Sequence, residues 1–242
     1  MKLVKSVART ALQVNEALAG LVLRPVLYRD WMRPQHIGMN ERPAEYAFAL
    51  EALMAAAPET VLDVGPGTSS WPHLLSNCGF RTTAIDKVEG YWTGLYANRH
   101  YHVIRDDVTR PTIPGSFDAI TCLSVLEHVP DHAAAMRGML SLLRQGGHLV
   151  MTFPYNETRY CEDVYRVPGA AYGADYPFIC RMYSRAEVDL WLSQSPARLV
   201  EQRWWEAFTG DLWAHGERLR PPRISTREGK HQLTGLVLRK DG

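Results

Sequence analysis

Nine residues constrain this chain more than any others: Val61-Leu62-Asp63-Val64-Gly65-Pro66-Gly67-Thr68-Ser69. The first four read as a short strand without polar alternation, so both of its faces must be covered. A glycine-proline-glycine turn follows at once. Glycine there lets the backbone approach a ligand closely and take angles that other residues resist. A fully buried strand feeding such a turn belongs in a parallel sheet with helices on both faces. The rest of the chain keeps that rhythm. Further strands are expected at 81–85, 101–104, 117–123 and 148–153. A helix is expected over 131–144, closed by Gly146 and Gly147. Ser184-Arg185-Ala186-Glu187 is a capping box opening a helix through Trp191. Two late strand-like runs, 199–207 and 232–238, have no helical repeat between them and are expected to pair antiparallel. The expected fold class is α/β.

Composition narrows the partners. A formal charge of +1 over 242 residues supplies no field for nucleic acid. Cys78, Cys122, Cys161 and Cys180 form no CxxC pair, so neither a disulfide framework nor a zinc site is indicated. Reduced thiols in a cytoplasmic protein are expected. No paired acids with a nearby Asn or His suggest a metal site. Near the start, Leu3, Val4, Val7, Ala11, Leu18, Leu21 and Val22 recur at helical spacing. Gln13, Asn15 and Glu16 interrupt what would be the apolar core of a signal peptide. No run reaches the ~18 apolar residues of a membrane-spanning helix. Up to Arg33 the basic residues Lys2, Lys5, Arg9, Arg24, Arg29 and Arg33 face only Glu16 and Asp30. Such a helix can lie on an anionic membrane, but packing on its own domain or on a second subunit is the commoner use. A helical cap over 1–55, able to pair subunits, is therefore expected ahead of a main domain over 56–242. Pro25 and Pro34 should break the first helix, and another should start near Glu41 with Pro43 in its first turn.

The glycine turn alone does not choose a ligand. Asp86 closes the second strand twenty-one residues after Gly65, where an acid can accept both ribose hydroxyls of a nucleoside. Three features then discriminate. Ser70 stands where a dinucleotide fingerprint has its third glycine. Asp63, two residues before Gly65, would attract a cation and repel a pyrophosphate. Asp106-Asp107-Val108 follows the third strand, where an acid can accept an adenine amino group.

On these residues, the segment 61–155 resembles the class I S-adenosylmethionine-dependent methyltransferases, among the small-molecule enzymes. Asp63-Val64-Gly65-Pro66-Gly67 is similar to the first motif of that superfamily, Asp86 to its second, and Asp107-Val108 to its adenine-binding acid. Ser116-Phe117-Asp118-Ala119-Ile120 through Leu126-Glu127-His128-Val129 resembles its "SFD…LEHV" stretch, and Leu142-Leu143-Arg144-Gln145-Gly146-Gly147 its glycine turn before the fifth strand. Pro66 departs from the commoner small residue at that place. The resemblance implies a Rossmann-like, mostly parallel sheet of seven strands ending in an antiparallel hairpin. It implies S-adenosyl-L-methionine as cofactor, held by Asp63, Gly65, Gly67, Thr68, Asp86, Lys87, Asp107, Val108, Leu123 and Ser124.

Methyl transfer from a sulfonium mainly requires an aligned nucleophile, exclusion of water and, for a hydroxyl, a base. His128 is the base candidate, weighed against a purely loop-building role. The stretch 154–184 is an expected acceptor-side insertion. It carries Tyr155, Tyr160, Tyr165, Tyr172, Tyr176, Phe178 and Tyr183, with Arg159, Arg166 and Arg181 interleaved. These could stack on and grip a small-molecule acceptor, or simply pack as a lid. Arg42 and Tyr46 are expected across from it. A nicotinamide-dependent oxidoreductase and a non-catalytic cofactor-binding module are the competing readings. Ser70 and the terminal hairpin speak against the first, and the intact acid set against the second.

Overall fold

The computed structural model describes residues 2–32, 38–89, 98 and 100–241. The chain divides into two units, Met1–Gly38 and Met39–Gly242. The first contains one helix, α1 (Lys2–Met32), which continues through Pro25 where the sequence suggested a break. A proline removes one N–H and crowds one carbonyl, and a helix of 31 residues carries that single defect. Leu12, Val14, Leu18, Leu21 and Val22 are exposed. No described helix is long and apolar enough to cross a membrane. Pro34 lies outside the described residues.

The second unit is built on one sheet. Its strands are β1 (Thr60–Val64), β2 (Arg81–Asp86), β3 (Ile104–Arg105), β4 (Phe117–Leu123), β5 (Leu143–Pro154), β6 (Ala197–Phe208), β7 (Arg218–Ser225) and β8 (Leu233–Lys240). They lie in the order β3-β2-β1-β4-β5-β8-β6-β7. The first five are mutually parallel, and β8, β6 and β7 complete the sheet antiparallel. The strand order reverses between β1 and β4, so a crevice opens beyond their carboxyl ends, where α/β sheets bind ligands.

The described sheet has eight strands rather than seven. The extra one, β7, contains Pro221 and Pro222 and four polar residues out of eight, a poor strand signal. Prolines cannot donate to a ladder and survive only at an edge, which is where β7 sits. A second difference concerns Gly146 and Gly147. The helix α4 (His132–Leu142) stops before them, and they lie inside β5. A Cβ at Gly147 would come within 2.8 Å of the Asp118 carbonyl oxygen. These glycines therefore allow a bulged strand to approach β4 rather than capping the helix.

Helices cover both faces. On one, Ala135, Met136 and Met139 of α4 join Val188 and Trp191 of α5 (Arg185–Ser193) in a single core with Ile120, Leu149 and Leu236. The expected capping box at Ser184 and Glu187 opens α5. On the other face, Phe48, Ala49 and Leu53 of α2 (Arg42–Ala56) pack with Trp71 and Leu75 of α3 (Trp71–Asn77) and with Val61, Val150 and Val237. As expected, α2 starts after Glu41 with proline in its first turn.

The packing of α4 on the loop after β3 is close enough to test. A Cβ at Gly138 would lie 1.8 Å from the carbonyl oxygen of Val108. Gly138→Ala must displace that loop, and the expected loss in urea unfolding is ~1–3 kcal/mol, the usual range for overpacking. An unchanged midpoint would contradict this contact.

Candidate functional site

The glycine turn lies at the mouth of the crevice. Gly65 (φ 71°) and Gly67 (φ 53°) both take left-handed backbone angles. The Gly65 N–H donates to the Ile85 carbonyl at 2.8 Å, and a Cβ at Gly65 would strike the Val125 side chain at 2.5 Å. Only glycine fits there. Asp86 braces the turn: one oxygen accepts from the Gly67 N–H at 2.9 Å, the other from the Val88 N–H at 3.0 Å. Asn98, which the sequence did not single out, donates to the carbonyls of Gly67 and Ser69. Thr68 is exposed on the same turn.

Asp63 is buried beneath it, at 2% exposure. Its Oδ1 accepts from the Thr121 hydroxyl at 2.7 Å, which in turn lies 3.3 Å from the donating Trp71 indole nitrogen. Its Oδ2 has no hydrogen-bond partner. Burial pushes this carboxyl up to about 7; Asp86 adds to the shift, while Thr121 and Arg42 oppose it. At the β3 end, Asp106 is consumed by its own loop, accepting from the Thr112 and Ile113 N–H groups, each at 2.9 Å. Asp107 accepts from the Thr109 N–H and hydroxyl, and its other oxygen lies 3.1 Å from Lys87 Nζ. Burial works against the charge of Asp107, but Thr109 and Lys87 outweigh it and hold the carboxyl below its ordinary range. Val108 is buried under the loop.

The first turn of α2 supplies groups that the sequence reading only half identified. Glu45 is fully buried. Its Oε1 accepts from the hydroxyls of Ser124, at 2.5 Å, and Thr152, at 2.7 Å. Its Oε2 accepts from Arg42 at 3.0 Å, and the same guanidinium nitrogen donates to the Leu123 carbonyl at 3.1 Å. The Ser124 hydroxyl and the Leu123 carbonyl are thus engaged with α2. Tyr46 stacks on Trp71 with ring centroids 4.6 Å apart, beside the glycine turn. A helical glutamate ordinarily reads as solvent-facing, so the sequence held no signal for Glu45.

Beyond β4 the chain makes a 3-10 turn, Leu126–His128. His128 Nδ1 lies 2.6 Å from the Ile179 carbonyl, so Nδ1 is the protonated nitrogen and Nε2 carries the lone pair. Burial lowers the pKa of this histidine, more than the Ile179 contact raises it. The neutral imidazole is therefore the form present at neutral pH. Nε2 stands 3.9 Å from Glu127 Oε1. Glu127 is buried, its Oε2 lacks a hydrogen-bond partner, and burial pushes it up to about 8.

The aromatic segment 154–184 divides. Tyr155 and Tyr183 are fully buried, and the Tyr183 hydroxyl donates to the Leu126 carbonyl. Arg181 pairs with Glu162 and donates to the carbonyls of Val129 and Pro130, while Arg166 donates to those of Ala174 and Tyr176. These side chains build the wall. Phe178 packs edge-on against His128, and Tyr176 stacks on Phe178. Tyr172 accepts from Arg218, whose guanidinium also pairs with Glu41.

A methyltransferase-domain family profile matches residues 39–203. Among curated proteins, a ubiquinone biosynthesis O-methyltransferase of Xanthomonas campestris is 33% identical over 129 residues, covering 50% of this chain and 52% of that protein. One from Marinobacter nauticus is 29% identical over 133 residues, 51% and 55% of the two chains. The chain spans about half the length of the curated relatives it matches. Among solved structures, the 1,6-didemethyltoxoflavin-N1-methyltransferase of Burkholderia thailandensis, with bound S-adenosylhomocysteine, superposes with a TM-score of 0.56 at 19% identity, covering 94% and 90% of the two chains. The N-methyltransferase NodS of Bradyrhizobium japonicum gives 0.52 at 16%, covering 86% and 90%. At these identities the two structures share the fold.

The buried Glu127 makes stability depend on pH. Its folded pKa lies above the value of 4.5 it has in an open chain. Its contribution is therefore full below that value and is lost as pH rises through about 8. Glu127→Gln cannot ionise. Between about pH 5 and pH 8.5 the melting temperature of the parent is expected to fall relative to that of the variant. Melting curves that run parallel over that span would contradict the burial of an ionisable Glu127.

Proposed function

The chain belongs to this methyltransferase family, and from that premise we propose that it transfers a methyl group from S-adenosyl-L-methionine to an oxygen or nitrogen nucleophile of a small molecule. The observation that carries the reading is Asp63 Oδ2, a buried carboxylate oxygen with no partner at the carboxyl end of β1. Such an atom calls for a cation, and the methionine moiety brings an ammonium. Arg42, with its side chain 37% exposed, sits in the same electrostatic field and suits the carboxylate beside that ammonium. On this reading Asp86 accepts from the ribose hydroxyls and Asp107 from the adenine amino group. Gly65, Gly67 and Thr68 form the turn beneath the nucleoside. Lys87 and Val108 border it, and Leu123 and Ser124 border the methionine end.

When bound, the cofactor supplies an activated methyl group on a sulfonium leaving group. The protein's share is alignment and proton handling. His128 Nε2 takes the proton from an acceptor hydroxyl as that oxygen attacks, and Nδ1 stays tied to Ile179 so that the ring keeps its aim. Phe178 and the rest of 154–184 form the acceptor wall and exclude water. The curated relatives, named for O-methylation in ubiquinone biosynthesis, support an oxygen acceptor. All four cysteines are free, which fits a reducing, cytoplasmic setting.

The test is a titration with S-adenosylhomocysteine. It should bind and raise the melting temperature by mass action. Asp86→Ala is expected to weaken that binding by ~1–3 kcal/mol, the range for hydrogen bonds to a charged group. His128→Asn is expected to keep cofactor affinity while a positioned base worth ~10²–10⁴-fold in rate is lost from hydroxyl methylation. Absence of any S-adenosylhomocysteine binding would overturn the cofactor reading. Full turnover in His128→Asn would remove the histidine from the mechanism.

A further inference from the structure

We propose that Glu45 is a positioning residue for the methionine end of the cofactor, acting through Arg42 and the turn at Ser124. The inference rests on the cofactor reading above and adds to it a residue with no assigned role. Glu45 is a fully buried carboxylate. Taking such a charge out of water is expensive unless every lone pair finds a strong donor. Glu45 finds three donors on three different elements: Arg42 on α2, Ser124 at the end of β4, and Thr152 on β5.

Anchoring α2 does not require this. Phe48, Ala49 and Leu53 already bury one face of the helix against the sheet. What the carboxylate does beyond anchoring is hold two groups that border the crevice. Its Oε2 keeps the Arg42 guanidinium against the Leu123 carbonyl. Its Oε1 holds Ser124, a residue other than glycine at φ 50°. A left-handed angle at such a residue is strained and persists where surrounding bonds impose it. The Ser124 N–H is tied to the Thr152 carbonyl at 2.9 Å and its hydroxyl to Glu45. One buried carboxylate therefore sets the Arg42 cation and the chain after β4. Among the described residues, no hydrogen bond or ion pair joins the nucleoside end, braced by Asp86 and Asp107, to this network.

That separation provides the test. Binding of S-adenosylhomocysteine and of 5′-methylthioadenosine, which lacks the amino-acid end, is measured by calorimetry well below the melting temperature. Glu45→Gln keeps the shape and can still accept from Ser124 and Thr152, but it turns an amide donor toward Arg42. Since bonds to charged groups are the strong ones, Glu45→Gln is expected to weaken S-adenosylhomocysteine about ten-fold or more. 5′-Methylthioadenosine should change by less than about two-fold, because its contacts lie outside the network. A role confined to holding α2 would lower the melting temperature and leave both affinities alone. Equal losses for the two ligands, or an unchanged S-adenosylhomocysteine affinity, overturn the proposal. Should Glu45→Gln fail to fold, Ser124→Ala carries the same comparison. It is expected to weaken S-adenosylhomocysteine about three-fold with 5′-methylthioadenosine unaffected, and no difference between the ligands overturns the proposal. A parent protein that binds neither ligand would instead sink the cofactor reading beneath it.

Discussion

A carboxylate placed at the end of a buried parallel strand has no comfortable state of its own. Asp63 is held there by the geometry of β1, with one oxygen satisfied by Thr121 and the other by nothing. An isolated ion in that position would cost several kcal/mol, so burial favours the neutral form of the group. Asp86 and Arg42 both act on this acid, the first raising and the second lowering its pKa. A ligand ammonium beside Asp63, as proposed above, would resolve the conflict.

Around Asp63 the second unit gathers more acids than its interior would ordinarily accept. Glu41, Glu45 and Glu127 act on one another across the crevice, with Arg42 among them. They are handled differently. Glu45 receives three donors, Glu41 pairs with Arg218, and Glu127 is pushed toward its neutral form. The first kind of acid fixes structure, and the last is available for protons. The same division runs through 154–184, where Arg181 and Tyr183 are committed to backbone carbonyls while Phe178 meets His128.

What could be read from the sequence follows from locality. The strand, its glycine turn and the acid two residues before Gly65 are contiguous, and Asp86 follows at a spacing set by one crossover. Glu45 was invisible because its burial depends on Ser124 and Thr152, which lie 79 and 107 residues away. Glu127 stands out in the sequence only as part of the "SFD…LEHV" stretch, since nothing local reveals that its carboxyl is enclosed. The edge strand β7 was missed because prolines and arginines contradict strand propensity except at an edge. Gly146 and Gly147 misled in the opposite sense: two glycines after a helix look like a cap, and only the pairing with β4 shows them to be a bulge.

The central claim is that Asp63 is partly protonated in the ligand-free protein and becomes ionised when the ammonium of the ligand arrives. Binding must then release protons. Calorimetric titration with S-adenosylhomocysteine at pH 7, repeated in buffers of different ionisation enthalpy, measures that release directly. With the Asp63 carboxyl at about 7 before binding, about half a proton per site should pass to the buffer. Asp63→Asn should abolish the release. An observed enthalpy that does not depend on the buffer would mean that Asp63 is already charged, and the account of this site would fail.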